Sequence, residues 1–264
     1  MGRLRSRVRI TGKIVLDSAL HVGTGRPGRA ASDHGVTLLP DGRPLIPGSS
    51  LKGVLRATAE SLAEHLGMTA CFLSGEGGCA TGNGGAEEEF RNWMAETDRT
   101  GREIEAWVAK HLCDVCRLFG SPLVAGRVRA VDAPGEWDRV PEVRDGVCLD
   151  RDSRTAVKGR KFDFEVVPAG VAFDFRLDAM NLEPRETLLL WACLREWQRG
   201  FTVGGKVSRG LGAAHLENLE AREVNLEDPA ARVSYLVRGE MGVVPLEKLD
   251  AELERMLSAG GSDA

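Results

Sequence analysis

Aromatic side chains are scarce. Eight Phe, five Trp and one Tyr make up 5% of the 264 residues. A protein that holds single-stranded nucleic acid on stacking platforms needs exposed rings along its strands, and this chain has few to offer. No run of 18 or more apolar residues occurs, which excludes a membrane-spanning helix. Residues 1–7 are basic but lack the apolar stretch of a secretory leader, so a cytoplasmic protein is expected. An excess of positive charge is also missing. There are 35 Lys and Arg against 39 Asp and Glu, a net charge of −4, and a chain that is acidic as a whole is a poor general nucleic-acid binder. Structural disulfides are not expected in the cytoplasm, so the six cysteines need another explanation.

With 42% hydrophobic residues, the chain can build one large domain or two small ones. Its charge is uneven. Residues 1–60 carry a net +6, 61–112 a net −5, 113–215 a net +1 and 216–264 a net −6. Such asymmetry allows a basic surface on an acidic protein.

Residues 4–16 read as a strand. Leu4, Val8, Ile10, Ile14 and Leu16 share one face, and Arg3, Arg5, Arg7, Arg9 and Lys13 share the other. That basic face is either a solvated edge or a bed for a polyanion. Residues 21–44 form a loop too long for a simple turn. Ile46-Pro47-Gly48-Ser49-Ser50 then opens a helix that Ser49 or Ser50 can cap, with Leu51, Val54, Leu55, Leu62 and Leu66 as its buried stripe. Lys52 sits in the first turn, where the helix dipole disfavours a cation. A bound anion explains it, and so does solvation of its long stem. Residues 67–112 look inserted, with a Gly-rich segment before helices over 90–98 and 103–111. A strand is expected over 123–131. Pro134, Gly135, Pro141 and Gly146 mark 133–147 as a projecting loop or hairpin. Val171, Phe173, Phe175 and Leu177 alternate as a strand, and a helix starts at Pro184. Loop 200–212 leads to a strand over 213–219, and Leu246, Leu249, Leu253 and Met256 mark a last helix. This order predicts an α+β sheet covered by helices on one face, most simply a ferredoxin-like unit.

Two nucleotide motifs nearly match and fail. Residues 23–28 fit G-x-G-x-x-G but contain Pro27 and lead into a loop. Residues 200–206 fit G-x-x-x-x-G-K, but Val207 stands where a magnesium-binding hydroxyl belongs. The cysteines say more. Cys113-Asp114-Val115-Cys116 is a CxxC pair with His111 two residues before it, and Cys71 and Cys79 lie in the same insertion. Zinc takes four Cys or His ligands, and a metal would help to fold a segment this poor in apolar residues. Ordinary thiols, with His111 as a helix-end residue, are the alternative. Cys148 and Cys193 read as buried core thiols, and His21 and His215 as ordinary histidines. In loop 200–212, glycines let backbone amides approach a phosphate, and Lys206 and Arg209 add charge. Asp33, beside His34, reads by itself as a turn former.

Taken together, Ile46-Pro47-Gly48-Ser49-Ser50-Leu51-Lys52-Gly53, Cys113-x-x-Cys116-Arg117-Leu118-Phe119-Gly120 and Gly204-Gly205-Lys206-Val207-Ser208-Arg209-Gly210-Leu211-Gly212 resemble the RAMP superfamily. The likeness is greatest to the backbone subunit of type III CRISPR effector complexes. Leu20-His21-Val22-Gly23-Thr24-Gly25 and Phe164-Glu165-Val166-Val167-Pro168-Ala169-Gly170 also fit, and the match runs from about residue 4 to 220. The resemblance implies a modified RRM-like, ferredoxin-like domain over 1–220. Within it, 67–120 would be a zinc-binding insertion and 133–147 a thumb-like hairpin that kinks the guide–target duplex. Residues 221–264 would be a separate acidic segment with one helix. Copies of the chain would coat a guide RNA as a filament beside other effector subunits, with Lys52, Arg56, Lys206, Ser208 and Arg209 on the RNA. Asp33 would be the acid that cuts target RNA at each kink, with a divalent ion such as Mg. Zinc would be held by four of Cys71, Cys79, His111, Cys113 and Cys116. Two other expectations are a catalytically silent coating subunit and a guide-processing ribonuclease using His21 or His34.

Overall fold

The alternating N-terminal segment forms β1 (Ser6–Leu16), which lies at the centre of a sheet and not at its edge. The computed structural model describes residues 3–28, 32–71, 78–79, 86–137 and 139–260. After β1 come β2 (Leu45–Ile46), α1 (Gly48–Leu62), α2 (Ala86–Glu96), α3 (Gly101–His111) and α4 (Asp114–Phe119). The middle of the chain holds β3 (Val128–Ala130), β4 (Ala133–Pro134), β5 (Glu142–Leu149), β6 (Ala156–Val166) and β7 (Ala172–Met180). Then follow α5 (Pro184–Arg199), β8 (Phe201–Thr202), β9 (Ala213–Asn225), α6 (Pro229–Arg238), β10 (Gly242–Val244) and α7 (Leu246–Gly260). The main sheet runs β10-β9-β1-β7-β3, antiparallel throughout, with β8 added to β9. The expected α+β class is observed. Among the described residues no helix is long and apolar enough to cross a membrane.

One face of the sheet is the core. Ile10 and Ile14 on β1, Phe173, Phe175 and Leu177 on β7, and Leu216 and Ala221 on β9 are buried there. On β9 the buried parity changes from Ala214 and Leu216 to Leu219 and Ala221. A register shift opposite Thr11–Lys13 and a left-handed Asn218 (φ 52°) supply the extra residue. Such a bulge returns the apolar side chains to the core side. Helices α1 and α5 pack on each other and against this face. Trp197 of α5 is fully buried and donates to Thr58 Oγ1 of α1 at 3.0 Å.

The opposite face is polar. Arg9 stands across from Asp178 and bonds it at 2.9 Å, and Lys13 stands across from Asp174 and bonds it at 2.8 Å, with Glu136 as a second partner. Arg9 and Lys13 are thus matched by acids on β7, while Arg7 of the same strand donates to Tyr235 Oη at 2.5 Å. Cross-strand pairing accounts for Arg9 and Lys13, whereas Arg3 and Arg5 are exposed ahead of the strand.

Several local expectations are revised. Neither Ser49 nor Ser50 caps α1. The Gly48 N–H donates instead to Asp132 Oδ1 at 2.7 Å, from the loop after β3. The strand expected over 123–131 shortens to β3. The projecting hairpin is β5–β6, so it begins inside 133–147 and extends well beyond it, whereas 133–134 form β4 against β2. The outer part of the hairpin is solvent-exposed and its base, at Phe164, Glu165 and Val166, is buried. Cys148 lies exposed on β5, while Cys193 is buried as expected. The C-terminal segment holds two helices and a strand, and β9 runs across the boundary drawn at 220. It is anchored by Asp250 of α7, which accepts from Trp191 Nε1 at 2.9 Å and pairs with Arg195. The Gly-rich stretch at 75–85 lies outside the described residues except for Gly78 and Cys79.

Candidate nucleic-acid interface and metal centre

The CxxC pair sits where a loop enters a helix. Cys113 is the N-cap of α4, and its Sγ accepts the Cys116 N–H at 3.4 Å. Two more backbone N–H groups point at sulfur, from Cys79 to Cys71 Sγ at 3.4 Å and from Cys113 to Cys79 Sγ at 3.5 Å. The four sulfurs of Cys71, Cys79, Cys113 and Cys116 lie within 4.8 Å of one another. Tetrahedral zinc, with Zn–S near 2.3 Å, spaces its sulfurs about 3.8 Å apart. Here Cys71 Sγ is 3.4 Å from Cys79 Sγ and 3.5 Å from those of Cys113 and Cys116. Small outward movements of the thiols therefore make room for the ion. Four cysteines are close enough to hold a metal ion, and an all-thiol donor set of this size fits structural zinc.

Protons are shared unequally in the cluster. The Cys113 thiol, followed by Arg56, holds Cys116 down to about 5, and Cys113 is pushed up in turn. Burial pushes Cys79 up to about 11. Metal binding at neutral pH must therefore displace protons from the remaining thiols.

His111, the fifth candidate ligand, is not in the cluster. Its Nδ1 lies 2.8 Å from the Trp107 carbonyl, and its ring stacks on Trp107 at 4.0 Å between centroids. It belongs to the packing of α3 on α2, with Phe90 against Trp107 at 4.8 Å.

Arg56 also turns toward the cysteines. Its guanidinium donates to Glu60 Oε1 at 2.8 Å, to the Gly120 carbonyl at 2.8 Å and to Cys116 Sγ at 3.1 Å. Its side chain is 12% exposed. Lys52, one turn earlier on α1, is half-buried and has no carboxylate partner among the described residues. Burial, then the charge of Arg56, pulls its ammonium below the usual lysine range. A buried cation without a counter-charge gains when an anion docks beside it.

The second cluster joins three distant segments. The residue 21–36 loop, strand β6 and loop 200–212 meet around His21. This histidine is buried, with Nδ1 2.7 Å from the Glu165 carbonyl. Its own carbonyl accepts the Gly205 N–H at 2.8 Å. Gly204 (φ 87°) lets the chain pass there, because a Cβ would stand 2.7 Å from the His21 oxygen. Gly212 (φ 80°) closes the loop, with Val203 donating to its carbonyl at 2.9 Å and its own N–H donating to Ala19 O at 2.8 Å. A side chain at 212 would meet the Val203 oxygen at 2.0 Å.

Lys206 is held in the left-handed region (φ 62°), with Nζ 4.6 Å from the Phe164 ring centroid and 5.8 Å from that of Phe162. Ser208 and Arg209 are exposed in the short helical turn Val207–Arg209. Asp33 is exposed on the neighbouring loop. Its N–H donates to Asp163 Oδ1 at 2.6 Å, and its Oδ2 accepts the Asp163 N–H at 3.0 Å. Beside it, the Val36 N–H donates to the buried Glu165 Oε2 at 3.1 Å.

The Asp33 loop and the cationic loop therefore share one support, strand β6, whereas Lys52 and the thiols cluster around α1 and α4. His21 was expected only as a guide-processing histidine, and Asp163 and Glu165 were not expected as site residues. The alternation Phe162-Asp163-Phe164-Glu165 puts rings on one side of β6 and carboxylates on the other, and is the signal that would have found them. No curated protein matches the chain. The family model of the RAMP superfamily matches residues 13–215, which span β1 to β9 and include Asp33, the four cysteines, the hairpin and loop 200–212. The chain belongs to the RAMP superfamily.

Proposed function

We propose that this chain is the guide-coating backbone subunit of a type III CRISPR ribonucleoprotein that cuts complementary RNA at regular intervals, with Asp33 as the cleavage-site acid. Family membership points to a CRISPR-associated RNA-binding protein. The observation that carries the finer reading is that Asp33 and the Lys206–Arg209 turn are both mounted on β6, from which the exposed hairpin projects. The succession β1-α1-β3-β7-α5-β9, with strands ordered β9-β1-β7-β3, supports an RRM-like, ferredoxin-like core. Its polar face carries cross-strand ion pairs, which suits holding a guide by backbone and shape while base pairing reads sequence. Lys52, Lys206, Ser208 and Arg209 contact the guide backbone. Arg56, engaged with Cys116, serves RNA indirectly by bracing α1. Zinc would be held by the four cysteines and would tie the Cys71 and Cys79 segment to α4. Copies of the chain and other effector subunits complete the particle.

At a kinked step the hairpin holds the target so that a 2′-hydroxyl lines up with the adjacent phosphorus. Asp33 orients that hydroxyl and takes its proton as the 2′-oxygen bonds to phosphorus. The bond from phosphorus to the 5′-oxygen breaks, and this oxygen gains a proton from water. The products carry a 2′,3′-cyclic phosphate and a 5′-hydroxyl. The exposed Asp33 carboxylate would also be the group to hold a divalent ion such as Mg, which would supply positive charge at the phosphate. Of the two histidines named for the guide-processing alternative, His21 is buried at 6% exposure, whereas His34 is exposed beside Asp33.

The test uses target RNAs with single 2′-deoxy nucleotides in the guide-loaded complex. Cleavage should vanish only at a deoxy position that coincides with a cut site. Undiminished cutting at that position contradicts the mechanism.

A further inference from the structure

Asp33 lies on an exposed loop, where an acid ordinarily samples several rotamers. Here the loop is laced onto β6. Besides the two bonds between Asp33 and Asp163, the Glu165 N–H donates to the His34 carbonyl at 2.9 Å. His34 and Phe164 form a parallel β-bridge, and Val36 is tied to Glu165 Oε2. Residues 33–36 thus behave as a short strand added to the base of the hairpin.

Within that lacing, the contacts at residue 33 have a particular geometry. Asp163 Oδ1 receives the Asp33 N–H at 2.6 Å, short as expected for a bond to a charged acceptor. The Asp163 N–H takes Oδ2 of Asp33 at 3.0 Å. Two neighbouring carboxylates would repel each other, but each has an oxygen bonded to the other residue's amide. Oδ2 of Asp33 is thus anchored, and Oδ1 has no hydrogen-bond partner among the described residues.

We propose that Asp163 is the positioning residue for Asp33. Its carboxylate fixes the loop backbone at residue 33, and its amide aims the Asp33 side chain, so that hairpin and acid move as one body. This rests on the reading of Asp33 as the cleavage-site acid. Asp163 itself touches no substrate, and what it must supply is a hydrogen-bond acceptor, not a charge. Asn supplies that acceptor and Ala does not.

The experiment compares wild type, Asp163→Asn, Asp163→Ala and Asp33→Ala as full chains. Single-turnover cleavage and target affinity are measured in the guide-loaded complex, and hydrogen–deuterium exchange at amides 33–36 in the same chains. Asp163→Ala should cut on the order of 10- to 100-fold more slowly, since displacing a reacting group by about 1 Å costs that much. Its target affinity should stay within about twofold, and exchange at 33–36 should speed up. Asp163→Asn should restore both rate and protection. Loss of cutting in Asp163→Asn equal to that in Asp163→Ala overturns the proposal in favour of a role for the charge. Unchanged exchange in Asp163→Ala overturns it whatever the cleavage result. Full-rate cutting by Asp33→Ala instead removes the reading of Asp33, while the exchange data still decide whether Asp163 holds the loop.

Discussion

Arg56 serves three acceptors at once, and the sulfur of Cys116 is the one that matters most for the metal. Four thiolates around a divalent ion leave a net charge of −2, and a guanidinium bonded at 3.1 Å offsets part of it. Replacing it by Met in Arg56→Met keeps the stem and removes the donors. Metal retention measured by chelator competition should then weaken roughly 10- to 100-fold, whereas retention equal to wild type contradicts this role. His21 gives a pH prediction. Burial lowers its pKa below the ordinary 6.5, with Lys206 and His34 adding to the effect, while the bond to the Glu165 carbonyl opposes it. The unfolded chain then binds a proton first, so protonation favours unfolding as pH falls through 6.5 toward the folded value. The carbonyl partner also makes Nδ1 the protonated nitrogen of the neutral ring. An NMR titration of the His21 imidazole should give a midpoint below 6.5, and one at or above 6.5 contradicts the buried assignment. None of this was legible locally. His21 reads as an ordinary histidine because its partners, Glu165 and Gly205, lie more than 140 residues away. The thiols were legible because CxxC spacing is itself a ligand geometry, yet only packing could show His111 turned onto Trp107.

At the scale of elements, periodicity found β1, β7, α1, α5 and α7, because each buries a regular stripe. It failed where a distant side chain does the work. The start of α1 was assigned to its own serines, but Asp132 satisfies the Gly48 amide. Asp132→Ala should lower stability by about 1 kcal/mol, the usual cost of losing a helix cap, as read by urea denaturation. A change below a few tenths of that contradicts the assignment. Pro and Gly drew the hairpin toward 133–147. The actual tip, near residues 150–155, contains neither. Asp150 Oδ1 accepts from the amides of Asp152 and Ser153 at 3.2 and 2.8 Å, and Arg154 takes a left-handed conformation (φ 56°). An Asp-based turn of this kind leaves a weaker trace in sequence than a Gly-Pro pair.

Over the whole molecule, segment charge marks residues 1–60 as the basic stretch but miscounts what is available there. Arg9 and Lys13 contribute to the +6 of residues 1–60, yet both are neutralised by acids on β7 and by Glu136. Cations without a carboxylate partner among the described residues include Lys52 on α1, Arg209 in loop 200–212, and Arg144, Lys158 and Arg160 on the exposed hairpin. The acidic C-terminal segment is part of the fold, because β9 and β10 continue the sheet and α7 packs on α5. Unpaired cations thus lie at several places on a chain that is acidic as a whole, on α1, in loop 200–212 and along the hairpin. The proposed role of Asp33 is to cut target RNA. The direct measurement is target cleavage by complexes loaded with guide RNA, carrying either wild-type chain or Asp33→Ala. Complexes with Asp33→Ala should bind complementary target with wild-type affinity and leave it uncut, and cleavage at the full wild-type rate by that variant would contradict the role of Asp33.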